Sequence, residues 1–238
     1  MNPYYESEGI TIYHGDCREV MPTLESVDMT LADPPYGTND GKARLNGRTD
    51  GDFQKWGLDW DKELPVEWIG PSALLLKDGG AFVAWTDTKR LETIWKTCEK
   101  EDLRPLQCLF WHKTNPPTNP RKNFCSAVEG AVFARKPGKI IAWNAGGAMH
   151  NLWRGPTVHH GIRQHPTQKP HELMAWCIKA LSDPDALILD PFMGVGTTLR
   201  AAKDLGRKAI GIEIEERYCE VGASRLSQQV FDFDGNAP

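Results

Sequence analysis

The chain has 238 residues, 40% of them apolar, which is enough to bury one sizeable core as a single domain over 1–238 rather than two. It holds no run of 18 or more apolar residues and no basic stretch followed by an apolar one at its N-terminus, a pattern that predicts a soluble, unexported protein and argues against a membrane span. The net charge of −4 argues at first against nucleic acid, and six cysteines scattered without a C-x-x-C pair indicate neither a zinc site nor a disulfide framework, so a reducing cytoplasm fits.

Ile10 to His14 alternates as a short strand and leads into Gly15-Asp16-Cys17, with a helix predicted from Arg18 to Leu24. Asp16 at that strand end can cap the helix or accept a hydrogen bond from the adenine amino group of a cofactor. Residues 28–32 form a buried strand that runs into Asp33-Pro34-Pro35-Tyr36-Gly37, where two prolines fix the backbone and forbid a helix. A carboxylate and an aromatic ring are thereby held at the carboxyl end of a strand, the place where open α/β sheets keep their ligands. The arrangement suits a flat, amino-bearing substrate: Asp33 and the Pro34 carbonyl accept from an exocyclic NH2 while Tyr36 stacks on the ring. A Pro-Pro turn with a capping aspartate needs no function, however, so this stretch alone does not decide the matter.

Residues 38–61 are polar and glycine-rich, with Lys42, Arg44 and Arg48 near one end and Phe53, Trp56 and Trp60 near the other. So long a connection is usually a lid, a binding loop or disorder, and beside Tyr36 it reads as a mobile loop able to close over a substrate. Leu64 to Lys77 is expected to be a helix ended by Asp78-Gly79-Gly80, followed by a buried strand from Ala81 to Trp85 and a helix from Lys89 to Lys100. Leu106–His112 and Ala127–Ala134 read as an antiparallel hairpin at the sheet edge. Residues 135–164 show no clean periodicity and interleave basic residues with Trp143 and Trp153. Basic and aromatic residues in irregular backbone suit contact with DNA.

From His112 to His171, nine basic residues face the single acid Glu129, so this segment carries +8 and the remainder −12. That asymmetry is what a phosphate-binding face on an otherwise acidic protein looks like, and a solvated basic flank is the plainer alternative. Four histidines at 150, 159, 160 and 165 have no acidic or cysteine partner close in sequence, so no metal site is expected. An amphipathic helix from Pro170 to about Leu181 follows, then a strand from Ala186 to Asp190 and a glycine-bearing turn, Pro191 to Thr198, into a helix through Asp204. A strand from Lys208 to Glu213 and a helix from Glu216 to Gln229 close the pattern.

Strand, Gly194-x-Gly196, helix and a strand ending in Glu213 is a nucleotide-binding pattern. A dinucleotide loop wants a third glycine where Leu199 stands, and Asp190 would repel a phosphate yet welcome a cation. S-adenosylmethionine has no phosphate and carries a sulfonium and an ammonium, which favours it over a dinucleotide.

Asp33-Pro34-Pro35-Tyr36 resembles the catalytic motif of the S-adenosylmethionine-dependent DNA amino-methyltransferases, and Asp190-Pro-Phe-x-Gly-x-Gly-Thr197 resembles their cofactor motif. His165-Pro-Thr-Gln-Lys-Pro170 and Trp111-His-Lys113 are similar to two further family segments, and the order, catalytic motif before cofactor motif, is that of the β group. The resemblance implies a Rossmann-like, mostly parallel sheet of seven strands with one antiparallel strand and helices on both faces. It implies a cofactor site of Asp16, Cys17, Asp33, Lys169, Asp190, Pro191, Phe192, Gly194, Gly196, Thr197, Glu213 and Ile214, and a small recognition insertion over about 135–164. Lys42, Arg44, Arg48, Lys113, Arg121, Lys122, Arg154 and Arg163 are the expected contacts to double-stranded DNA.

The expected activity is methylation of adenine N6 in a short site, on a base flipped out of the duplex, with neither a metal nor a covalent intermediate. Cytosine N4 is the nearest alternative; Ser is commoner than Asp at the position of Asp33 for that activity in the family, so the resemblance leans toward adenine. An RNA or protein methyltransferase more often carries Asn there, and a catalytically silent DNA binder would not need the intact motifs. A bacterial or phage-encoded cytoplasmic enzyme, a homodimer and a cognate restriction enzyme belong to the same expectation.

Overall fold

The computed structural model describes residues 2–37, 64–116, 124–159, 161, 163–165 and 167–227. Strands β1 (Tyr5–Ser7) and β2 (Ile10–His14) form a hairpin, then helix α1 (Cys17–Val20) with a 3-10 turn over Met21–Thr23 leads to β3 (Val27–Ala32). Helix α2 (Ile69–Leu75) passes directly into β4 (Leu76–Thr86), and α3 (Leu91–Lys100) into β5 (Arg104–Lys113). Next come β6 (Val128–Arg135), β7 (Leu152–Gly155), α4 (His171–Leu181), β8 (Leu187–Asp190), α5 (Thr197–Asp204), β9 (Lys208–Glu213) and α6 (Glu216–Ser227).

The sheet has nine strands in the order β1-β2-β9-β8-β3-β4-β6-β5-β7. From β2 to β5 these are seven strands in which only β6 runs against the rest, as expected; β1 and β7 are additions at the two edges. The β5–β6 hairpin is therefore not the edge, because β7 pairs in parallel with β5 and covers it. Strands β2 and β3 are parallel but not neighbours, since β9 and β8 lie between them.

Period-two alternation buries both faces. Val83 and Trp85 of β4 join a cluster with Leu173, Leu199 and Cys219 of α4, α5 and α6, while Phe82 and Ala84 face Val20, Ile69 and Ile94 of α1, α2 and α3. Helices on both faces are the reason the central strands read as continuous apolar runs.

Several boundaries differ from the expectation: the helix expected over Leu64–Lys77 is confined to Ile69–Leu75, and the strand expected from Ala81 begins at Leu76. Asp78-Gly79-Gly80 does not terminate a helix: β4 runs through it, and its pairing with β3 jumps from Val27↔Leu76 to Met29↔Ala81, a bulge that absorbs the extra residues. Gly79 takes φ +79°, and a Cβ there would lie 1.8 Å from the Lys139 carbonyl oxygen, so no other residue fits. The buried Arg135 side chain fixes the bulge by donating to the Gly79 carbonyl at 2.9 Å and the Ala142 carbonyl at 2.8 Å.

Candidate active site

All parallel strands end on one edge of the sheet. The chain leaves β8 toward β9 on one side and β3 toward β4 on the other, so a crevice opens between the carboxyl ends of β8 and β3. A cavity of about 640 Å3 occupies it. Asp33 to Tyr36 and Lys169 line one part, and Asp16, Cys17, Asp190 to Gly194, Thr197, Glu213 and Ile214 the other.

The first part is an ionic cluster. The Lys169 ammonium donates to Asp33 Oδ1 at 2.7 Å, Asp33 Oδ2 at 2.8 Å and the Tyr36 hydroxyl oxygen at 2.8 Å, and stands 3.2 Å from Glu129 Oε2. The Tyr36 hydroxyl donates toward Asp33 Oδ1 at 2.8 Å and lies 3.3 Å from Glu129 Oε2. Lys113 closes the network with an ion pair to Glu129 Oε1, its ammonium 5.2 Å from the Trp111 ring centroid.

Burial and pairing set the charges here. Burial pushes the Asp33 carboxyl up, against the pull of the Lys169 ammonium. Burial acts on Glu129 in the same direction, but two ammonium groups, Lys169 and Lys113, outweigh it and hold Glu129 down at about 2. Lys169 is likewise desolvated, yet Asp33 and Glu129 together keep its ammonium above the usual lysine range. Burial first, and the two carboxylates next, push the Tyr36 phenol well up, so it stays a donor. With both carboxylates ionised, two positive and two negative charges cancel.

The second part is the turn after β8. Gly194 and Gly196 take φ +51° and +74°, and Gly196 starts α5 from a left-handed conformation. Glu213, at the end of β9, accepts from the Gly194 amide at 2.9 Å and the Glu215 amide at 2.8 Å, which fixes its carboxylate against the loop. Asp190 accepts from the Phe192 amide at 3.0 Å, and burial pushes its carboxyl up to about 7. Two carboxylates with no arginine or lysine of this loop between them disfavour a phosphate and suit a cationic ligand. Ile214 presents a largely exposed side chain to the same cavity, an apolar wall for a flat ring. Asp16 both lines the cavity and caps α1, accepting from the Arg18 amide at 2.9 Å, so its two sequence readings coexist.

Among the expected DNA contacts, Lys42, Arg44, Arg48, Arg121 and Lys122 lie outside the described residues, as do the loop at 38–61 and His160. Arg154 is exposed on β7 opposite His112, at the active-site edge, and Arg163 is half-buried in the segment before Lys169. Lys113 is not a surface cation; it is spent on Glu129 inside the network. Two residues of this site were named in the sequence without a role in it. Glu129 had one signal, as the lone acid in both a basic segment and an apolar strand. His165 packs edge-on to Tyr218 at 4.7 Å, and burial, then Lys169, lowers it to about 4, so it adds no charge at neutral pH. No group of three or more potential metal ligands exists among the described residues, and no helix among them is long and apolar enough to cross a membrane.

A doubly wound sheet with a cation-suited glycine loop beside an Asp-Pro-Pro-Tyr turn defines a Rossmann-like protein whose site suits a cationic, phosphate-free cofactor. A family model described as DNA methylase, of the N6/N4 methyltransferases, matches residues 27–224, and the chain belongs to that family. It is 32% identical to the Type II methyltransferase M2.LlaDCHI of Lactococcus lactis subsp. cremoris, over 95% of this chain and 92% of that protein. It is 29% identical to the DNA adenine methyltransferase YhdJ of Escherichia coli strain K12, over 93% and 84%. The crystal structure of the M1.HpyAVI–SAM complex superposes with a TM-score of 0.72 at 28% identity, covering 92% of this chain and all of that one. The protein is thus a DNA methyltransferase that uses S-adenosylmethionine.

Proposed function

We propose that the enzyme methylates the exocyclic N6 amine of an adenine flipped out of double-stranded DNA, within a short site. The observation that carries this reading is the Asp33 carboxylate, fixed at the end of β3 beside Tyr36 and opening on the same cavity as Asp190 and Glu213. Adenine is favoured over cytosine by an acid rather than a serine at position 33, and by the likeness to a relative named a DNA adenine methyltransferase. The likeness to Type II methyltransferases supports a place beside a cognate restriction enzyme, in the bacterial cytoplasm where the DNA is.

When bound, S-adenosylmethionine supplies an electrophilic methyl group on its sulfonium. Glu213 is proposed to take its ribose hydroxyls, Asp190 to favour its positive charge, and Ile214, Phe192, Asp16 and Cys17 to hold its adenine. Gly194, Gly196, Thr197 and Pro191 shape the loop around it. The protein's own contribution to the reaction lies at Asp33. An exocyclic amine is a poor nucleophile because its lone pair is delocalised into the ring. Accepting its two N–H bonds at Asp33 and the Pro34 carbonyl draws the nitrogen toward a tetrahedral, nucleophilic form, and Pro35 keeps that turn rigid. The nitrogen sheds one proton overall, and the Asp33 carboxylate, pushed up by burial, is the base at hand.

Flipping the base costs a few kcal/mol, and stacking on Tyr36, worth about 1–3 kcal/mol, offsets part of it. The Lys169 ammonium donates to the hydroxyl of this ring at 2.8 Å and stands 4.9 Å from its centroid. Residues 135–164, with Arg154, are proposed as the recognition surface, and Arg163 as a phosphate contact. Mass spectrometry of nucleosides from DNA treated with the purified enzyme tests the reading: N6-methyladenine is expected, and N4-methylcytosine in its place overturns the choice of base.

A further inference from the structure

The group on which the proposed reaction depends is held by the protein's own donors. Both oxygens of Asp33 hold the Lys169 ammonium, at 2.7 and 2.8 Å, and Oδ1 also takes the Tyr36 hydroxyl at 2.8 Å. A target amine has to donate to this carboxylate, so at least one of these donors has to withdraw. Lys169 cannot withdraw into solvent, because only 4% of its side chain is exposed.

A second acceptor is in place for both donors. Glu129 Oε2 lies 3.2 Å from the Lys169 ammonium and 3.3 Å from the Tyr36 hydroxyl, each longer than the contact to Asp33. The other oxygen of Glu129 is pinned by Lys113, so this carboxylate is a fixed point toward which the two donors shift. A lysine ammonium has three N–H donors, and here they are shared among four oxygens, so a small movement re-divides them without leaving any donor unmet.

We infer that Glu129 is a positioning residue for methyl transfer: it is the alternative acceptor that lets Lys169 and Tyr36 yield Asp33 to the target amine without leaving the site. The inference rests on the proposed role of Asp33. The exchange makes and breaks only hydrogen bonds. After it, Lys113 and Lys169 are matched by Glu129 alone, and the negative charge of Asp33 is turned toward the target nitrogen as that nitrogen becomes positive. A carboxylate with no neighbouring acceptor would have to expel a buried ammonium to do the same.

The test compares the full-length enzyme with Glu129→Gln, Glu129→Asp and the double variant Glu129→Gln/Lys113→Met, using labelled S-adenosylmethionine and genomic DNA from a methylation-free host. Glu129→Gln is expected to lower the single-turnover rate at saturation by about tenfold or more, with the dissociation constants for cofactor and DNA held within about threefold. Glu129→Asp, which keeps the charge, recovers part of the rate. The double variant stays slow, because a neutral amide oxygen is a weaker acceptor for a buried ammonium than the carboxylate it replaces, even when Lys113 no longer competes for it. A rate within about threefold of wild type in Glu129→Gln overturns the inference, as does a loss confined to DNA affinity or full recovery in the double variant. Should Glu129→Gln fail to fold, Glu129→Asp decides: an unchanged rate overturns the inference. Asp33→Asn run in parallel separates the two levels. If it transfers methyl groups at the wild-type rate, the role of Asp33 falls and the inference with it; if it is inactive while Glu129→Gln is normal, only the role of Glu129 falls.

Discussion

Lys169→Met removes the one cation shared by Asp33 and Glu129, and its cost follows from what is left behind. Two neighbouring carboxylates remain, each with 19% of its side chain exposed, and only Lys113 still holds one of them. Breaking a buried pair by deleting one partner costs about 3–5 kcal/mol, chiefly because a charge is left uncompensated. Partial exposure and the surviving Lys113 contact place this case at the lower end, about 3 kcal/mol. In a chain of this size each kcal/mol corresponds to about 2–4 °C, so the melting temperature is expected to fall by about 6–12 °C. Lys96→Met is the control: its partner Glu92 lies four residues away, the two side chains are 65% and 77% exposed, and such surface pairs contribute about 0.3–0.5 kcal/mol.

The pH dependence carries the sign. With Lys169 gone, only the Tyr36 hydroxyl opposes burial at Asp33 and only Lys113 opposes it at Glu129, so Asp33 rises further above its unfolded value and Glu129 rises from about 2. A carboxyl raised in this way binds its proton more tightly when folded, so stability falls as pH rises from the unfolded value toward the folded one. In the wild type Glu129 is held at about 2, and its contribution is lost only as the pH falls below its unfolded value of 4.5 toward 2. The deficit of Lys169→Met relative to wild type is therefore expected to be larger at pH 8 than at pH 5.5, measured by urea unfolding at both. A deficit below about 1 kcal/mol, or one identical at the two pH values, refutes the ionic reading of this cluster.

Asp33→Ala is expected to abolish methyl transfer while cofactor affinity stays within a few-fold; turnover near wild type would refute the assignment. Asp190 is raised by burial to about 7 against 3.8 in the unfolded chain, so the free protein loses stability as pH rises across that window. A cationic ligand favours the ionised form, so calorimetric affinity for S-adenosylmethionine should strengthen by up to about tenfold per pH unit below 7 and level off above it. Asp190→Asn should remove that slope. Gly79→Ala meets the Lys139 carbonyl and a positive φ, and should destabilise by more than about 2 kcal/mol, whereas Gly146→Ala, with φ +67° and open space around it, should show only the conformational strain of about 1 kcal/mol. DNA affinity should fall steeply with added salt if the basic segment at 112–171 meets phosphates, and a flat dependence would rule that surface out.

The repeating elements were legible because apolar period and turn chemistry are local. Lys208–Glu213 and the end of α5 at Asp204 fall where they were read, and both motif loops sit at strand ends. Elements defined by neighbours were not legible. Strand β7 has four residues and no alternation of its own, and it exists because β5 offers it a free edge. Asp78-Gly79-Gly80 has the composition of a helix stop, and only the approach of Lys139 shows why glycine is needed inside a strand. Lys113 was read as a phosphate contact from its charge, and Lys169 as a cofactor contact from its motif. Their partners lie 16 and 136 residues away, a separation over which sequence pattern carries no information.

The reversed strand β6 explains how an acid so distant comes to stand at this site. In a sheet whose other central strands are parallel, carboxyl ends share one edge and amino ends the other. Because β6 runs against them, its first residues lie at the edge where β3, β4 and β5 finish. Glu129, second in β6, therefore pairs across with Trp111, two residues before Lys113, and shares with both the face on which Ala131 and Trp85 are buried under α4. Lys169 enters from the segment just before α4, on that same face. A slip of one residue in the β5–β6 pairing would turn Glu129 to the opposite face and break its ion pairs with Lys113 and Lys169 together. Ala131 and Phe133 on one side and Val132 and Ala134 on the other are all buried and apolar, so the pattern alone does not forbid that slip; the ladders to β4 and β5 on both sides of β6, together with the two ion pairs, hold Glu129 on this face.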